Sequence, residues 1–124
     1  FDTGNPVFTD DRSGCKPYAK QSAWGFYANV RDHVAYVHIK DGFMDPDTGK
    51  PVFTFPGEGK GDVARILADL LARGYDGGLS IEPHMQQVFH DPAAGKASPE
   101  SLYAGYVEYG RRLEALLEGL KAEA

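Results

Sequence analysis

Apolar residues recur at helical spacing in three stretches of the chain. The first begins near Pro17, a residue suited to the first position of a helix, and ends near Arg31; its apolar positions are Ala19, Ala23, Phe26, Tyr27 and Val30. In the second, Asp62 is a candidate N-cap, Gly74 suits a left-handed end, and the stripe is Val63, Ile66, Leu67, Leu70 and Leu71. The third follows Ser98, a capping residue with proline after it. The pattern predicts three amphipathic helices.

A short apolar run precedes each predicted helix. Residues 1–4 resemble the end of a strand, residues 79–82 form a second short strand, and residues 34–39 form the clearest one. This middle run is β-branched and aromatic, which is typical of a strand that helices cover on both faces. Strand and helix therefore alternate three times, and the order predicts an α/β fold with a parallel sheet.

Two segments rich in glycine and polar residues connect these elements. Residues 6–16 are predicted to form a loop, and residues 41–61 form a longer one with five glycines and three prolines. Inside the longer loop a short hairpin is expected to turn at Thr48-Gly49. The sequence "GEGKG" at 57–61 is similar to a phosphate-binding loop, but it follows a hairpin and not a strand, so we interpret it as shaping the backbone.

Composition limits the class of protein. The chain is 42% hydrophobic and 25% charged, with a net charge of −5, and its basic residues are scattered. We therefore expect no nucleic-acid partner, because phosphate backbones are bound by clustered positive charge. No apolar run approaches the roughly 20 residues that span a bilayer, so no membrane partner is expected. The single Cys15 cannot form an internal disulfide, which favours a cytoplasmic location.

Three residues of metal-ligand type stand at the ends of the three predicted strands. Asp2 ends the first, His38 follows it by 36 positions at the end of the second, and Glu82 follows His38 by 44 positions at the end of the third. In β/α barrels the carboxyl ends of the parallel strands carry the catalytic groups. The pattern therefore predicts that the three strand ends form one side of a metal-dependent active site. Three strands alone cannot close a barrel.

Each of these residues also has a structural interpretation. Asp2 begins "DTGN", which makes a good turn, and an isolated His38 on an apolar strand is more often a core histidine. Glu82 is harder to explain in this way, because an unpaired buried carboxylate is costly. Their common position at three strand ends favours the metal interpretation.

Side-chain alternation indicates which face of the middle strand is functional. Small and branched residues occupy one face and pack against helices, so the opposite face, with Tyr36, His38 and Lys40, is expected to point into the site. Candidate substrate-binding residues are Asn5, Lys40 and His84. For Asn5 the alternative is a turn residue, for Lys40 a solvated charge, and for His84 a loop residue.

Four motifs in order resemble a known superfamily: "D-x-G-N-P", "V-H-I-K-D", "P-G-E-G" and "L-S-I-E-P". They are similar to the carboxyl half of the xylose-isomerase-like sugar phosphate isomerases and epimerases, relatives of AP endonuclease family 2. The resemblance covers essentially the whole chain. It implies that residues 1–124 are an incomplete domain, the C-terminal part of a (β/α)8 TIM barrel with about three βα units, the sixth to the eighth.

The resemblance also implies roles for the strand-end residues. Asp2, His38 and Glu82 match the family's metal ligands, and Glu82 additionally matches a catalytic residue that moves protons. A further acidic ligand is expected from an earlier strand. Such oxygen and nitrogen donors favour Mn²⁺, Mg²⁺ or Co²⁺, and Zn²⁺ is the alternative that the endonuclease branch uses. Gly42, Phe43 and Met44 stand where ketose 3-epimerases carry an arginine.

The function implied is a sugar isomerase or epimerase of carbohydrate metabolism that moves a proton next to a carbonyl through an enediolate. One alternative is a dehydratase acting on an inosose-type cyclitol, and another is a zinc endonuclease IV-like repair enzyme. A third is a barrel fragment without catalysis. The substrate is expected to be a small sugar or cyclitol.

Two unpaired sheet edges are expected, together with an open barrel interior. Exposed edges recruit other strands, so we expect the chain to need the missing half of a barrel of about 250–300 residues, or a self-associating copy. The 124-residue piece alone is expected to be inactive.

Overall fold

The computed structural model describes residues 1–84 and 98–123, which form two small sheets flanked by helices. The elements are α1 (Asn5–Phe8), α2 (Ala23–Val30), a 3-10 turn (Arg31–His33), β1 (Tyr36–Ile39), β2 (Asp41–Met44), β3 (Pro51–Thr54), α3 (Val63–Ala72), β4 (Gly78–Ile81) and α4 (Pro99–Glu123). The predicted α/β class is present. The described residues do not form a barrel, so the prediction of a TIM-barrel portion is supported only as far as a mixed α/β fragment.

β1 and β4 pair in parallel, with His38 opposite Ser80. The backbone N–H of Glu82 donates to Ile39 O at 2.9 Å and carries the pairing one residue beyond the strands. Along the other edge of β1, residues 1–3 run parallel to the strand: His38 N donates to Phe1 O at 2.8 Å, Thr3 N donates to His38 O at 3.1 Å, and Asp2 pairs with His38. The three chain segments therefore lie side by side in the predicted order, and their carboxyl ends meet at one edge.

Helices cover one face of this sheet. Val37 and Ile39 are fully buried, whereas Tyr36 and His38 on the alternate positions are exposed. The prediction that β1 is covered on both faces is therefore wrong for the described residues. The buried apolar core is formed by Val7, Ala23, Tyr27, Val37, Ile39, Val63, Ile66, Leu67, Leu70, Tyr109 and Leu113.

The second helix begins later than its apolar spacing predicts. Ser22 caps α2 by accepting a hydrogen bond from Gly25 N at 3.0 Å. The residues before it are extended, because Asp11 N donates to Ala19 O and Gln21 N donates to Thr9 O. This backbone pairing competes with helix formation between Pro17 and Ser22. The predicted loop 6–16 also differs, since it opens with the single helical turn of α1.

The predicted end of α3 at Gly74 and the predicted start of α4 at Ser98 are confirmed, whereas the predicted cap of α3 by Asp62 is wrong. Gly74 has a φ of +74° just after α3. Asp62 precedes α3, but it adopts a left-handed conformation and its side chain does not cap that helix. Its carboxylate instead accepts a hydrogen bond from Trp24 N at 3.1 Å, which joins the starts of α2 and α3. Ser98 caps α4 by accepting from Ser101 N at 3.1 Å. No helix in the described ranges is long and apolar enough to cross a membrane.

The long loop contains the predicted hairpin. β2 and β3 pair antiparallel, and Gly49 in the turn has a φ of +67°. Asp41, the first residue of β2, is almost fully buried, and its carboxylate accepts hydrogen bonds from four backbone N–H groups, those of Gly42, Gly57, Gly59 and Gly61, at 2.8–3.1 Å.

Residues 57–61, here called the glycine loop, thus wrap around an internal carboxylate. A Cβ on Gly61 would lie 2.9 Å from Asp41 Oδ1, and one on Gly59 would collide with the same oxygen. The absence of side chains at these positions lets the backbone approach Asp41, as in backbone nests that bind anions. The interpretation of "GEGKG" as a backbone-shaping segment agrees with this arrangement.

Replacing Asp41 by alanine should destabilise the protein by about 2–4 kcal/mol, because buried N–H groups lose a charged acceptor. Urea-induced unfolding measures the difference. Asp47→Ala in the exposed hairpin turn is the matched control, and it should change the free energy of unfolding by less than about 0.5 kcal/mol. Equal unfolding midpoints for the two variants would contradict the structural role of Asp41.

Candidate metal centre

Three strand-end side chains meet at the open edge of the parallel sheet. Asp2, His38 and Glu82 each offer a donor atom, and these three atoms lie within 4.8 Å of one another. Donors that share one ion at about 2.0–2.6 Å are separated by at most about 5.2 Å. The spacing is compatible with a single cation, and the assignment of the three residues as metal ligands stays a prediction.

Asp2 is held by its own turn. Its Oδ1 accepts hydrogen bonds from Gly4 N at 2.8 Å and from Asn5 N at 3.0 Å, which leaves Oδ2 to face the site. Oδ2 lies 3.3 Å from Lys40 Nζ. One oxygen of Asp2 therefore stabilises the turn, as the turn interpretation predicts, while the other is directed at Lys40; the role of Asp2 as a metal ligand stays a prediction.

His38 is on the open face of β1 and is not a core residue. Its side chain is 50% exposed, and its Nδ1 lies 3.6 Å from Glu82 Oε2. The ring meets the Tyr36 ring edge-on, with 5.6 Å between centroids. Strand alternation places both rings on the face opposite Val37 and Ile39, as the sequence predicts.

Glu82 stands between two histidines and a lysine. Its Oε1 lies 3.1 Å from His84 Nε2, while Oε2 lies 3.5 Å from Lys40 Nζ. Partial burial raises the pKa of Glu82, but the hydrogen bond from His84 and the charge of Lys40 outweigh it and hold the pKa below its ordinary value. The site therefore favours the carboxylate form of Glu82.

The hairpin reaches the site through an aromatic contact. The Phe53 ring on β3 lies 5.0 Å from the His84 ring at an interplanar angle of 31°, and the Phe8 ring lies 5.2 Å from the Phe53 ring. His84 thus contacts both an aromatic ring and the Glu82 carboxylate. The position of Phe53 on a hairpin strand near the glycine loop was the sequence signal for this contact, which was not predicted.

The three predicted substrate-binding residues, Lys40, Asn5 and His84, have different surroundings. Lys40 is only 12% exposed and is directed at the carboxylates. Asn5 is exposed and lines a cavity of about 400 Å³ with Phe1, Asp2, Pro6, Thr9, Gln21 and Phe26. His84 contacts Glu82. Contact of these three residues with a substrate stays a prediction.

Two supporting residues escaped sequence analysis. Thr3 is fully buried; its hydroxyl donates to Lys40 O at 2.6 Å and accepts from Lys40 N at 3.0 Å. Asp41 fixes the chain directly after Lys40. The signal for Thr3 was its place inside the "DTGN" turn. For Asp41 it was an acidic residue at a strand end, with three closely spaced glycines at 57, 59 and 61 later in the same loop.

The chain is similar in sequence to the fructoselysine 3-epimerase of Escherichia coli O157:H7. The two are 28% identical over 69 residues, which is 55% of this chain and 24% of that protein. The matched stretch thus spans about a quarter of the relative's length. No protein-family model and no solved structure matches the chain. The likeness supports a relation to the xylose-isomerase-like epimerases at the level of the superfamily.

Replacing His84 by phenylalanine should raise the pKa of Glu82. The variant keeps a ring against Phe53 but removes the donor that stabilises the charged carboxylate, so protonation becomes easier. Carbon-13 NMR titration of the Glu82 carboxyl group in the metal-free protein measures the change. His33→Phe, at an exposed position away from the site, is the control and should leave that titration unchanged. An unaltered Glu82 titration in the His84 variant would show that the imidazole does not stabilise the carboxylate.

Proposed function

We propose that the chain is part of a divalent-metal-dependent sugar epimerase or isomerase that transfers a proton at a carbon next to a carbonyl. The observation that carries the proposal is the meeting of Asp2, His38 and Glu82 at the carboxyl ends of adjacent parallel segments. The sequence likeness to a 3-epimerase supports the same reaction class.

The donor set fits a hard or borderline divalent ion. Two carboxylates and one imidazole would hold it, with Mn²⁺, Mg²⁺ or Co²⁺ favoured and Zn²⁺ as the alternative. When bound, such an ion would supply Lewis-acid stabilisation for the negative charge that develops on the substrate oxygens. The nearby carboxylates favour a cation at this point whether or not a substrate is present.

Glu82 is the proposed catalytic base. Its lowered pKa keeps it deprotonated near neutral pH, and His84 holds Oε1 so that Oε2 faces the centre of the site. A carboxylate in this position would accept the proton from the substrate carbon on one face and keep it as a carboxylic acid. Epimerisation then requires a second acid, on the opposite face, that donates its own proton to the same carbon.

A sugar derivative with a ketone is the proposed substrate class. The named relative is a 3-epimerase, and a hydrogen at carbon 3 is acidified by a carbonyl at carbon 2. Lys40, which contacts Asp2, and Asn5, which lines a cavity together with Asp2, would contact substrate oxygens. The residues Gly42, Phe43 and Met44 replace the arginine of ketose 3-epimerases, so a different group is expected to contact that part of the substrate.

The rest of the site is proposed to come from outside this chain. Tyr36 and Phe26 are exposed beside the strand-end cluster, and the face of β1 that carries Tyr36 and His38 is not covered by the described residues. Further barrel strands, or a second copy, would cover this face and add the remaining acidic ligand and a second base. The whole protein, and not residues 1–124 alone, is the proposed enzyme.

Glu82→Gln in the full-length protein should reduce turnover by about a hundredfold or more, because the amide cannot accept the proton. Its thermal unfolding should stay close to that of the wild type. Exchange of the substrate hydrogen with deuterated water, followed by NMR, tests the role directly.

Glu118→Gln on the exposed side of α4 is the matched control. Undiminished exchange in the Glu82 variant would remove this residue from the mechanism, and a product that has lost water would favour the dehydratase.

Metal content offers an independent test. Full-length protein purified without chelator should contain about one divalent ion per active site, and EDTA should abolish turnover until Mn²⁺, Mg²⁺ or Co²⁺ is added back. Elemental analysis by mass spectrometry measures the content. A protein that never retains an ion and keeps its activity in EDTA would contradict the metal-dependent mechanism.

A further inference from the structure

Lys40 contacts both candidate carboxylate ligands. Its Nζ lies 3.3 Å from Asp2 Oδ2 and 3.5 Å from Glu82 Oε2. The Lys40 side chain is only 12% exposed, so it is not an ordinary solvated surface lysine. A charge in this position neutralises the same two carboxylates that a divalent ion would bind.

The "DTG" turn builds a place for this lysine. Asp2 supplies the carboxylate, and the Thr3 hydroxyl bonds both the N–H and the carbonyl of Lys40. Gly4 leaves room for the stem, because a Cβ there would lie 2.8 Å from Lys40 Cγ and 2.9 Å from Lys40 Cε. The position of the ammonium is thus set by the backbone on one side and by two charges on the other, in contrast to a solvated surface lysine.

We propose that the Lys40 ammonium is an internal counter-cation, which holds the Asp2 and Glu82 carboxylates together in the metal-free protein and is displaced from between them by the divalent ion. The inference rests on the proposed function and goes beyond it, since Lys40 becomes a determinant of metal affinity. The displaced ammonium stays tethered at the edge of the site, where a substrate oxygen would meet it.

The positive charge of Lys40 is expected to lower the affinity of the site for a divalent ion. A divalent ion that enters this site has to overcome the repulsion of a positive charge already bound to its ligands, and this repulsion is stronger in a partly buried site than in water. The wild-type affinity is therefore lower than the donor set alone would provide. Without Lys40 and without an ion, Asp2 and Glu82 would repel each other.

The test uses the full-length, metal-free protein and its Lys40→Met variant, which keeps the length of the side chain and removes the charge. Titration calorimetry with MnCl₂ should show binding that is about tenfold tighter, or more, in the variant. The metal-free variant should also unfold at a lower temperature than the wild type, and saturating Mn²⁺ should restore the loss. Lys40→Arg keeps the charge and should not gain affinity.

Two further variants separate the local effect from general ones. Lys50→Met removes a positive charge from the exposed hairpin turn and should leave Mn²⁺ affinity within about twofold of the wild type. Gly4→Ala retains the Lys40 charge but obstructs its stem, and Gly4 has a φ of −89° that alanine can adopt. This variant should gain affinity in the same direction as Lys40→Met, and it keeps the inference testable if the latter does not fold.

The outcomes distinguish the inference from the proposed function. Tight Mn²⁺ binding by the wild type with equal or weaker binding by both Lys40→Met and Gly4→Ala would overturn the counter-cation role alone. A metal-free Lys40→Met protein as stable as the wild type would also overturn it. Absence of binding in the wild type and in every variant, with Mg²⁺, Co²⁺ and Zn²⁺ as well as Mn²⁺, would overturn the proposed function and this inference together.

Discussion

The hydrogen bonding of the Asp41 carboxylate is the interaction on which the site most depends. A buried carboxylate needs several donors to offset the loss of water, and here four backbone N–H groups supply them. The same carboxylate therefore fixes the start of β2 and both ends of the glycine loop. The hydroxyl of the buried Tyr109 donates to Ile39 O at 3.4 Å. Burial and the nearby charge of Asp41 raise the pKa of the Tyr109 phenol. The strand end that carries His38 and Lys40 is held from both directions.

In each of the two candidate carboxylate ligands, Asp2 and Glu82, the two oxygens have different partners. One oxygen of Asp2 and one of Glu82 are bonded to neighbouring groups, and the other oxygen of each faces Lys40. Side chains restrained in this way lose little further freedom when a ligand binds, which lowers the entropic cost of binding. His38 has no comparable restraint from a hydrogen bond to the backbone among the described contacts, and its half-exposed ring is the most adjustable of the three.

Regular periodicity accounts for the part of the fold that was predictable. The stripe of α3, the alternation along β1 and the hairpin turn at Gly49 are local patterns, and the structure reproduces them. The start of α2 was not predictable in this way, because pairing between residues 9–11 and 19–21 decides it and no local signal reports that pairing. The strand-end positions of Asp2, His38 and Glu82 were predictable from their spacing along the chain. The contacts of Lys40, Thr3 and Asp41 were not, because they depend on side-chain directions that tertiary packing determines. Coverage of both faces of β1 was inferred from its apolar composition, and the exposed Tyr36 and His38 show that composition alone does not report which faces are covered.

The Asp41 side chain joins the two ends of the segment that contains β2 and β3. The base of this hairpin is therefore fixed by hydrogen bonds that do not involve its turn. Asp41 accepts hydrogen bonds from Gly42 at one end and from Gly57 at the other, so the residues between them form a segment that is closed at its base. Insertions, deletions or replacements near Thr48 would change the exposed turn and leave these hydrogen bonds in place. The turn is therefore the part of the segment at which length and sequence can vary without disturbing the end of β1.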